Sequence, residues 1–282
     1  LHSVYPGFLA PPGRWRPERF HRALARASDA IIVHQQVGSA DILIRQGVDP
    51  DKISVIAHGT AMLDAIDRAQ ARAALGLPAA RRIALFFGVI HPKKNLHTVV
   101  TAFDNVAREI PDALLLVAGA PRRRNPLDLA YAAWLRRKLR SGTHRGWLDF
   151  REGFVPDDEL ALYLAAADVV LFPHRQSYGS ASGVLHLALG AGRAMVCARG
   201  PKFAEAVAAF SDAVPEAFVD AGNPHAWAQA LTRMLGDDVL RAKMADLSAQ
   251  LGEKTSWLQV AEQHLAVYRH ALGRERAQAA RA

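Results

Sequence analysis

The sequence has 282 residues, a mean hydropathy near zero and a net charge of +8, with 35 basic and 27 acidic side chains. This length allows two ordinary domains, each with its own core. We expect neither a membrane-spanning helix, because the apolar runs are far shorter than ~20 residues, nor a secretory signal. The single cysteine, Cys197, excludes a disulfide framework and favours a reducing, cytoplasmic setting.

The excess of basic residues indicates an anionic partner: nucleic acid, a nucleotide or an acidic membrane surface. The basic residues cluster at 14–26, 122–124 and 136–145. Nucleic acid is not predicted, because the clusters lack interleaved aromatic residues and no nucleic-acid-binding motif is present. Solvated helix faces account for most of these charges.

In chain order, the first part alternates short predicted helices and strands. The predicted helices span 16–27, 39–46 and 65–75, and the predicted strands span 30–34 and 53–57. Gly47 follows the second helix and fits a C-terminal cap.

A longer series of strands and helices follows. Its predicted strands are 83–87, 113–118, 147–150, 168–172, 194–198 and 217–219, and Asn95 is a predicted N-cap of the first intervening helix. Strands that alternate with helices predict right-handed crossovers, hence an α/β fold with a doubly wound, Rossmann-like parallel sheet.

A loop of small residues, 178–184, separates the apolar run 168–172 from a predicted helix at 184–189. Between Tyr178 and Val184 it carries no bulky side chain, so its backbone N–H groups can approach an anion at the N-terminus of that helix. The alternative is that the small residues only permit a tight turn.

The order of several segments resembles one family, the GT-B fold retaining glycosyltransferases of family four, or glycosyl transferases group 1. The resemblance rests on 53–59, 87–96, 118–119, 152–155, 167–173, 192–196, Ser256-Trp257 and Tyr268. It implies a partial N-terminal α/β domain over 1–62 and a nucleotide-sugar-binding domain over 63–255. It also implies a helix over 256–282 that crosses back to the first domain.

The resemblance implies transfer of a glycosyl unit, with retention, from a nucleoside diphosphate sugar to a saccharide or lipid-linked acceptor. Polysaccharide or glycolipid synthesis is the implied setting, without a separate cofactor. An anionic membrane surface is a further predicted partner, which would place the protein at the inner face of the membrane. A metal site is not predicted, because His34, His58 and His186 have no carboxylate or cysteine at ligand spacing.

The implied catalytic residues are His2, which would face the donor sugar, and Lys94, which would pair with the diphosphate. A solvated loop lysine and a loop histidine are the alternatives for these two. The implied donor-binding set adds Gly88, Lys93, Gly153, Phe154, Val155, Tyr178, Gly179, Ser180, Ser182, Gly183 and Val184.

Three departures from the family pattern weaken the sugar-binding part. Val89 stands where the family has an arginine, and Gly179 and Leu187 stand where it has two glutamates. Gln176, Tyr178, Ser180 or Ser182 could bind hydroxyl groups instead.

The match also begins late in the family's first domain, so we expect either a fragment or a second chain that completes it. The alternatives to a transferase are a weak or inactive nucleotide-sugar-binding protein and an epimerase of the same fold. The sequence does not indicate the nucleotide, the sugar or the acceptor.

Overall fold

The computed structural model describes residues 4, 17–140, 146–175 and 181–279, of which 140 and 274–279 are described by their backbone alone. Two parallel sheets organise them. The smaller sheet pairs β1 (Ile31–Val33) with β2 (Ile53–Val55). The larger sheet contains β3 (Arg82–Phe87), β4 (Ala113–Gly119), β5 (Leu148–Glu152), β6 (Val169–Phe172), β7 (Ala194–Ala198) and β8 (Phe218–Val219).

The six strands of the larger sheet are all parallel and have the order β5-β4-β3-β6-β7-β8. The chain therefore builds outward from β3 in one direction and then from β6 in the other, which is the doubly wound arrangement. The predicted fold class is confirmed.

Continuous apolar runs explain why these segments are central strands. Every residue of β4, β6 and β7 is buried, as expected for parallel strands that are covered on both faces. Eleven helices alternate with the strands over the described residues: α1 Pro17–Arg26, α2 Asp41–Arg45, α3 Arg68–Ala74, α4 Leu96–Glu109, α5 Pro126–Arg140, α6 Asp157–Ala166, α7 Gly183–Gly190, α8 Ala204–Phe210, α9 Pro224–Gly236, α10 Asp238–Lys254 and α11 Trp257–Ala279.

Polar caps fix several helix starts. Asp67 accepts a hydrogen bond from the Gln70 amide at α3, and Asp237 accepts one from Leu240 at α10. Asn95 occupies the predicted N-cap position of α4, but its side chain accepts no capping hydrogen bond from a backbone amide. Asn95 is left-handed (φ 56°) and its amide nitrogen donates to the carbonyl oxygen of Ala221, so this side chain joins two loops rather than capping α4.

A buried carboxylate fixes the amino ends of β3 and β6. Asp168 accepts hydrogen bonds from the Ile83 amide (2.7 Å), Arg68 Nη1 (2.8 Å) and Arg72 Nη2 (2.7 Å). The strand order reverses between β3 and β6. This cluster therefore sets the register of the two strands on which the site depends.

The two segments that connect the smaller sheet to the larger one lie next to each other. The segment after β2 passes to the larger sheet at Thr60, and α10 leads back at Ser256, where the two form a parallel bridge. The Thr60 amide donates to the Thr255 carbonyl at 2.7 Å, and the Trp257 amide donates to the Thr60 carbonyl at 3.2 Å. The predicted bounds 1–62, 63–255 and 256–282 stay predictions. Among the described residues, no helix combines the length and apolar character needed to cross a bilayer.

Candidate functional site

The carboxyl ends of β3 and β6 form the crevice at which a doubly wound sheet binds its ligand. After β3 the chain turns towards β4, and after β6 it turns towards β7, so the loops diverge and leave an opening between them. One backbone hydrogen bond joins the two loops, from the Arg175 amide to the Lys93 carbonyl at 2.8 Å. Predicted site residues from distant parts of the sequence therefore meet here.

Close backbone packing positions the loop after β3. Gly88 has a φ of 116°, a backbone conformation that residues other than glycine rarely adopt. A Cβ on Gly119, at the end of β4, would overlap the Gly88 carbonyl, so both positions require the absence of a side chain. A Cβ at Gly88 would lie 3.9 Å from a methyl group of Val184, which places the loop beside the first turn of α7.

Lys94 ends a short turn, Pro92–Lys94, and is half-buried beneath the crevice. Its Nζ lies 2.5 Å from Nε2 of His174. Burial, and next the charge of Lys202, lower the pKa of Lys94 to about 8. Within residues 17–140, 146–175 and 181–279, no carboxylate forms an ion pair with Lys94.

His174 is buried two residues after the end of β6 and is not among the predicted site residues. Burial, followed by the charges of Lys94 and Lys202, lowers its pKa well below the usual range for histidine. The ring is therefore neutral at pH 7, and Nε2 can accept the hydrogen bond from Lys94. Its partner depends on which loops meet, so a sequence motif could not reveal it.

Lys202 is a second half-buried lysine, and sequence reasoning missed it. It lies in the turn Pro201–Phe203 after β7, and its Nζ donates to the Ala181 carbonyl at 3.3 Å. Burial lowers its pKa to about 8. The available signal was the Gly200-Pro201 break, which places the following lysine at the carboxyl end of a central strand.

The N-terminus of α7 opens into the same crevice. Ser182 is its N-cap and its hydroxyl oxygen accepts from the Leu185 amide at 3.4 Å, so this buried hydroxyl serves the helix. Gly183 is exposed, and a Cβ there would lie 4.0 Å from Nε2 of His58. The first turn of α7 thus has room for a ligand.

A cleft of about 590 Å³ continues from this crevice along the ends of β3, β4 and β5. It contains Gly88 and three neighbouring predicted residues, Gly153, Phe154 and Val155. Phe154 is 83% exposed, so an apolar ring stands at the mouth of the cleft with much of its face open. A planar base fits such a surface.

Arg122 brings a cation to the rim of this cleft. Its Nε donates to Oδ2 of Asp128 at 2.6 Å, and His91 Nε2 lies 3.5 Å from Oδ1 of the same carboxylate. Burial opposes ionisation of Asp128, but the hydrogen bond from Arg122 and the neighbouring charges hold its pKa below the usual range. The buried carboxylate thereby orients Arg122.

Three histidines meet where the two sheets adjoin. The His58 ring lies 4.8 Å from that of His186 and 5.8 Å from that of His34. His186 is buried, with Nδ1 2.7 Å from the Thr60 hydroxyl and Nε2 3.5 Å from Glu205. Over the described chain, no group of three or more metal-binding side chains was found.

The remaining predicted site residues divide into two groups. Lys93 is exposed and contributes its carbonyl to the loop contact, while Val89 lines the cleft and Leu187 packs against the hydrophobic core. The others lie outside the described residues: His2, Gln176, Tyr178, Gly179 and Ser180.

Solved structures with this architecture include glycosyltransferases of the GT-B fold. The Anabaena protein Alr3699/HepE, in complex with UDP, is 16% identical, with a TM-score of 0.78 over 96% of this chain and 71% of that chain. Sucrose-phosphate synthase from Thermosynechococcus elongatus is 21% identical, with a TM-score of 0.75 over 96% of this chain and 67% of the other. The fold is therefore GT-B-like.

Curated relatives are also similar to this chain in sequence. A D-inositol 3-phosphate glycosyltransferase of Corynebacterium glutamicum is 28% identical and is matched over 88% of this chain and 59% of its own length. A D-inositol 3-phosphate glycosyltransferase of Mycolicibacterium vanbaalenii is 32% identical and is matched over 89% of this chain and 55% of its own length. The chain thus spans somewhat more than half the length of these relatives.

The family model described as Glycosyl transferases group 1 matches residues 81–237, which include β3 to β8, both lysines and the cleft. This match covers more than half of the 282 residues. The chain belongs to the family Glycosyl transferases group 1.

Proposed function

We propose that this chain binds a nucleoside diphosphate sugar and transfers its glycosyl unit, with retention, to a hydroxyl acceptor. The observation that carries the proposal is that the half-buried cation Lys94 lies beside the open N-terminus of α7. Both lie at the crevice between β3 and β6, where the strand order reverses. A cation and a helix N-terminus together favour a phosphate group.

The neighbouring cleft suggests how the donor lies. We place its base against Phe154 and the backbone of Gly153 and Val155, and its diphosphate against Lys94 and the first turn of α7. The donor sugar then extends from α7 towards His58, the side chain nearest to Gly183 across the crevice. The predicted contact from His2 to the sugar stays part of the proposal.

The related proteins suggest which reactants to test first. UDP is bound in the Anabaena structure, and the curated relatives are D-inositol 3-phosphate glycosyltransferases. We propose a uridine diphosphate sugar as the first donor and an inositol phosphate as the first acceptor. Polysaccharide and lipid-linked acceptors are the next class to test, because the basic residues of α5 would favour an anionic lipid surface.

In the proposed reaction, the bond from the anomeric carbon to the diphosphate oxygen breaks, and its electron pair stays on that oxygen. Lys94 and the α7 amides stabilise the negative charge that develops there. The acceptor oxygen attacks on the face that the diphosphate is leaving, and its proton passes to the diphosphate oxygen. The configuration at the anomeric carbon is thereby retained.

A second candidate is a nucleotide-sugar-binding protein with little or no transfer activity. It is favoured by Leu187, which packs against the core at the position where the family pattern has a glutamate. Such a protein would keep the diphosphate site and bind the donor without turning it over.

Calorimetry with UDP, GDP and ADP on the folded chain tests the binding part. Turnover of radiolabelled donors with an acceptor panel, and the anomeric configuration of the product by NMR, test transfer and retention. Binding without transfer supports the second candidate, and isomerised donor without acceptor indicates an epimerase. Absence of binding by all three nucleotides would overturn the proposal.

A further inference from the structure

Two half-buried lysines approach the crevice from different loops. Lys94 follows β3 and Lys202 follows β7, while β6 lies between these strands in the sheet. His174, at the end of β6, contacts Lys94 Nζ at 2.5 Å, and its ring meets that of Phe203 edge-on at 5.0 Å between centroids. The three loops therefore form one cluster at the carboxyl edge of the sheet.

The cluster carries a like-charge cost. A lysine normally extends its ammonium group into water, and burial penalises the charge unless it is paired. Here burial lowers the pKa of both lysines to about 8, and each cation disfavours the neighbouring charges, since Lys202 acts on Lys94 and both act on His174. Burial and like-charge pairs that shift pKa values in this way are concentrated at functional sites.

Lys202 is held beside the N-terminus of α7 from two sides. Its Nζ donates to the carbonyl of Ala181, the residue before the Ser182 cap. Its own carbonyl accepts from Nε2 of the buried Gln35 at 2.9 Å. An ammonium group has three N–H donors, so it can hold a backbone carbonyl and a phosphate oxygen together.

We propose that Lys202 is a second phosphate-binding residue and that, with Lys94, it clamps the two linked phosphate groups of a diphosphate at the N-terminus of α7. The inference rests on the proposed function, because the diphosphate is that of the donor. Val89, which directly follows Gly88, brings no charge to the crevice, and Lys202 supplies the second cation from the loop after β7.

The clamp is tested with inorganic pyrophosphate, inorganic phosphate and UDP, each measured by calorimetry at pH 7. We expect Lys202→Met to weaken pyrophosphate and UDP about tenfold or more, the range for one charge-assisted hydrogen bond. Inorganic phosphate, which lacks a second linked phosphate group, should change much less. Lys202→Arg, which keeps the charge, should retain most of the affinity.

Lys243→Met is the matched control. Lys243 also donates to a backbone carbonyl, that of Ala213, but it is exposed on α10 away from the crevice. Its replacement should leave all three affinities unchanged. Circular dichroism and the thermal midpoint establish that each variant is folded before the affinities are compared.

The outcomes separate the clamp from the proposed function. Equal pyrophosphate and UDP affinities for Lys202→Met and wild type overturn the clamp while the transferase proposal stands. A weakened Lys202→Met variant of a protein that turns over no donor supports the clamp and overturns the transferase. If folded wild-type protein binds neither pyrophosphate nor UDP, both are overturned.

Discussion

Lys94 donates to Nε2 of His174 across 2.5 Å, a contact that joins the loop after β3 to the end of β6. The acceptor is neutral because burial and the two lysines keep the pKa of His174 well below its usual range. The lysine is thereby oriented without being neutralised, and its positive charge remains available to a ligand.

Replacing Lys94 with alanine should weaken nucleoside diphosphate binding by about 1–3 kcal/mol, the value of a charge-assisted hydrogen bond. Calorimetry at low salt measures the change, because screening is least there. Lys243→Ala, which removes an exposed lysine of α10, is the control. A dissociation constant equal to that of wild type would remove Lys94 from the site.

Affinity for UDP should decrease as the pH rises through about 8. The pKa values of Lys94 and Lys202 are lowered to about 8 in the unliganded protein, and only the ammonium form attracts a diphosphate. Binding favours that form and raises both pKa values, so protons are taken up on binding above pH 8. Affinity should be greatest near pH 7 and lost progressively towards pH 9.5.

Titrations between pH 7 and 9.5 avoid most of the protonation of the phosphate group itself, which has a pKa of about 6. Calorimetry in buffers of different ionisation enthalpy counts the protons taken up. Lys94→Met should flatten the profile and reduce proton uptake. A wild-type affinity that is constant across this range would contradict the expectation.

Two glycines of α7 should respond oppositely to a side chain. Gly183→Val should lower donor affinity more than stability. Among the described residues, a Cβ at Gly183 would approach only His58 Nε2, at 4.0 Å, but a valine side chain would crowd an approaching phosphate. Gly190→Ala should destabilise the fold, because its Cβ would overlap the Ala61 carbonyl.

Thermal unfolding and UDP calorimetry on both variants make this comparison. Gly183→Val should keep a midpoint within a few degrees of wild type, whereas Gly190→Ala should lose at least ~1 kcal/mol as overpacked sites do. If Gly183→Val unfolds while its folded fraction binds UDP normally, the loop before α7 serves structure alone.

Asp168→Ala should cost about 3–5 kcal/mol of unfolding free energy. The substitution leaves the buried Arg72 guanidinium without its carboxylate and the Ile83 amide without its acceptor. Asp149→Ala, which removes the partner of Arg151 at a partly exposed position, should cost at most ~1 kcal/mol. Urea unfolding compares them, and equal losses would contradict a structural role for Asp168.

Anionic lipid should bind α1 and α5 if their exposed aromatic residues and cations form a membrane surface. Phe20 and Trp134 are each about half exposed, and Lys138 Nζ lies 5.7 Å from the centre of the Trp134 ring. Each cation near the surface adds about 1 kcal/mol at most. Sedimentation with liposomes of graded anionic content should show binding that rises with anionic lipid and decreases with salt.

The double variant Phe20→Ser/Trp134→Ser should lose this sedimentation and keep UDP affinity. The alternative is that these helices pack their apolar faces inward and that their arginines are merely solvated by water. It predicts no cosedimentation of the folded protein even at low salt.

The sequence predicts the larger sheet well because buried parallel strands are unbroken apolar runs. The run 113–118 becomes Ala113–Gly119, and 194–198 matches its strand at both ends. The smaller sheet is also anticipated, from runs at 30–34 and 53–57. Asn95 shows the limit, since its side chain contacts Ala221, a partner 126 residues away that no local pattern indicates.

The site is less predictable because its residues come from loops that only the strand order brings together. Gly88 and Val184 are signalled by composition, yet their contact follows from β3 lying next to β6. Lys202 lies in the short turn Pro201–Phe203, and its place at the crevice depends on the pairing of β7 with β6. His174 likewise gains its role only from the lysine opposite it.

The bridge between Thr60 and Ser256 constrains how the two sheets can move. Backbone hydrogen bonds tie both connecting segments together at this level of the structure, from Thr60 to Thr255 and from Trp257 to Thr60. Sliding one segment past the other would break these bonds, whereas bending both about the same point preserves them. Any relative movement of the two sheets that keeps these bonds must therefore bend both segments together, and it would change the distance from Gln35 Nε2 to the Lys202 carbonyl oxygen.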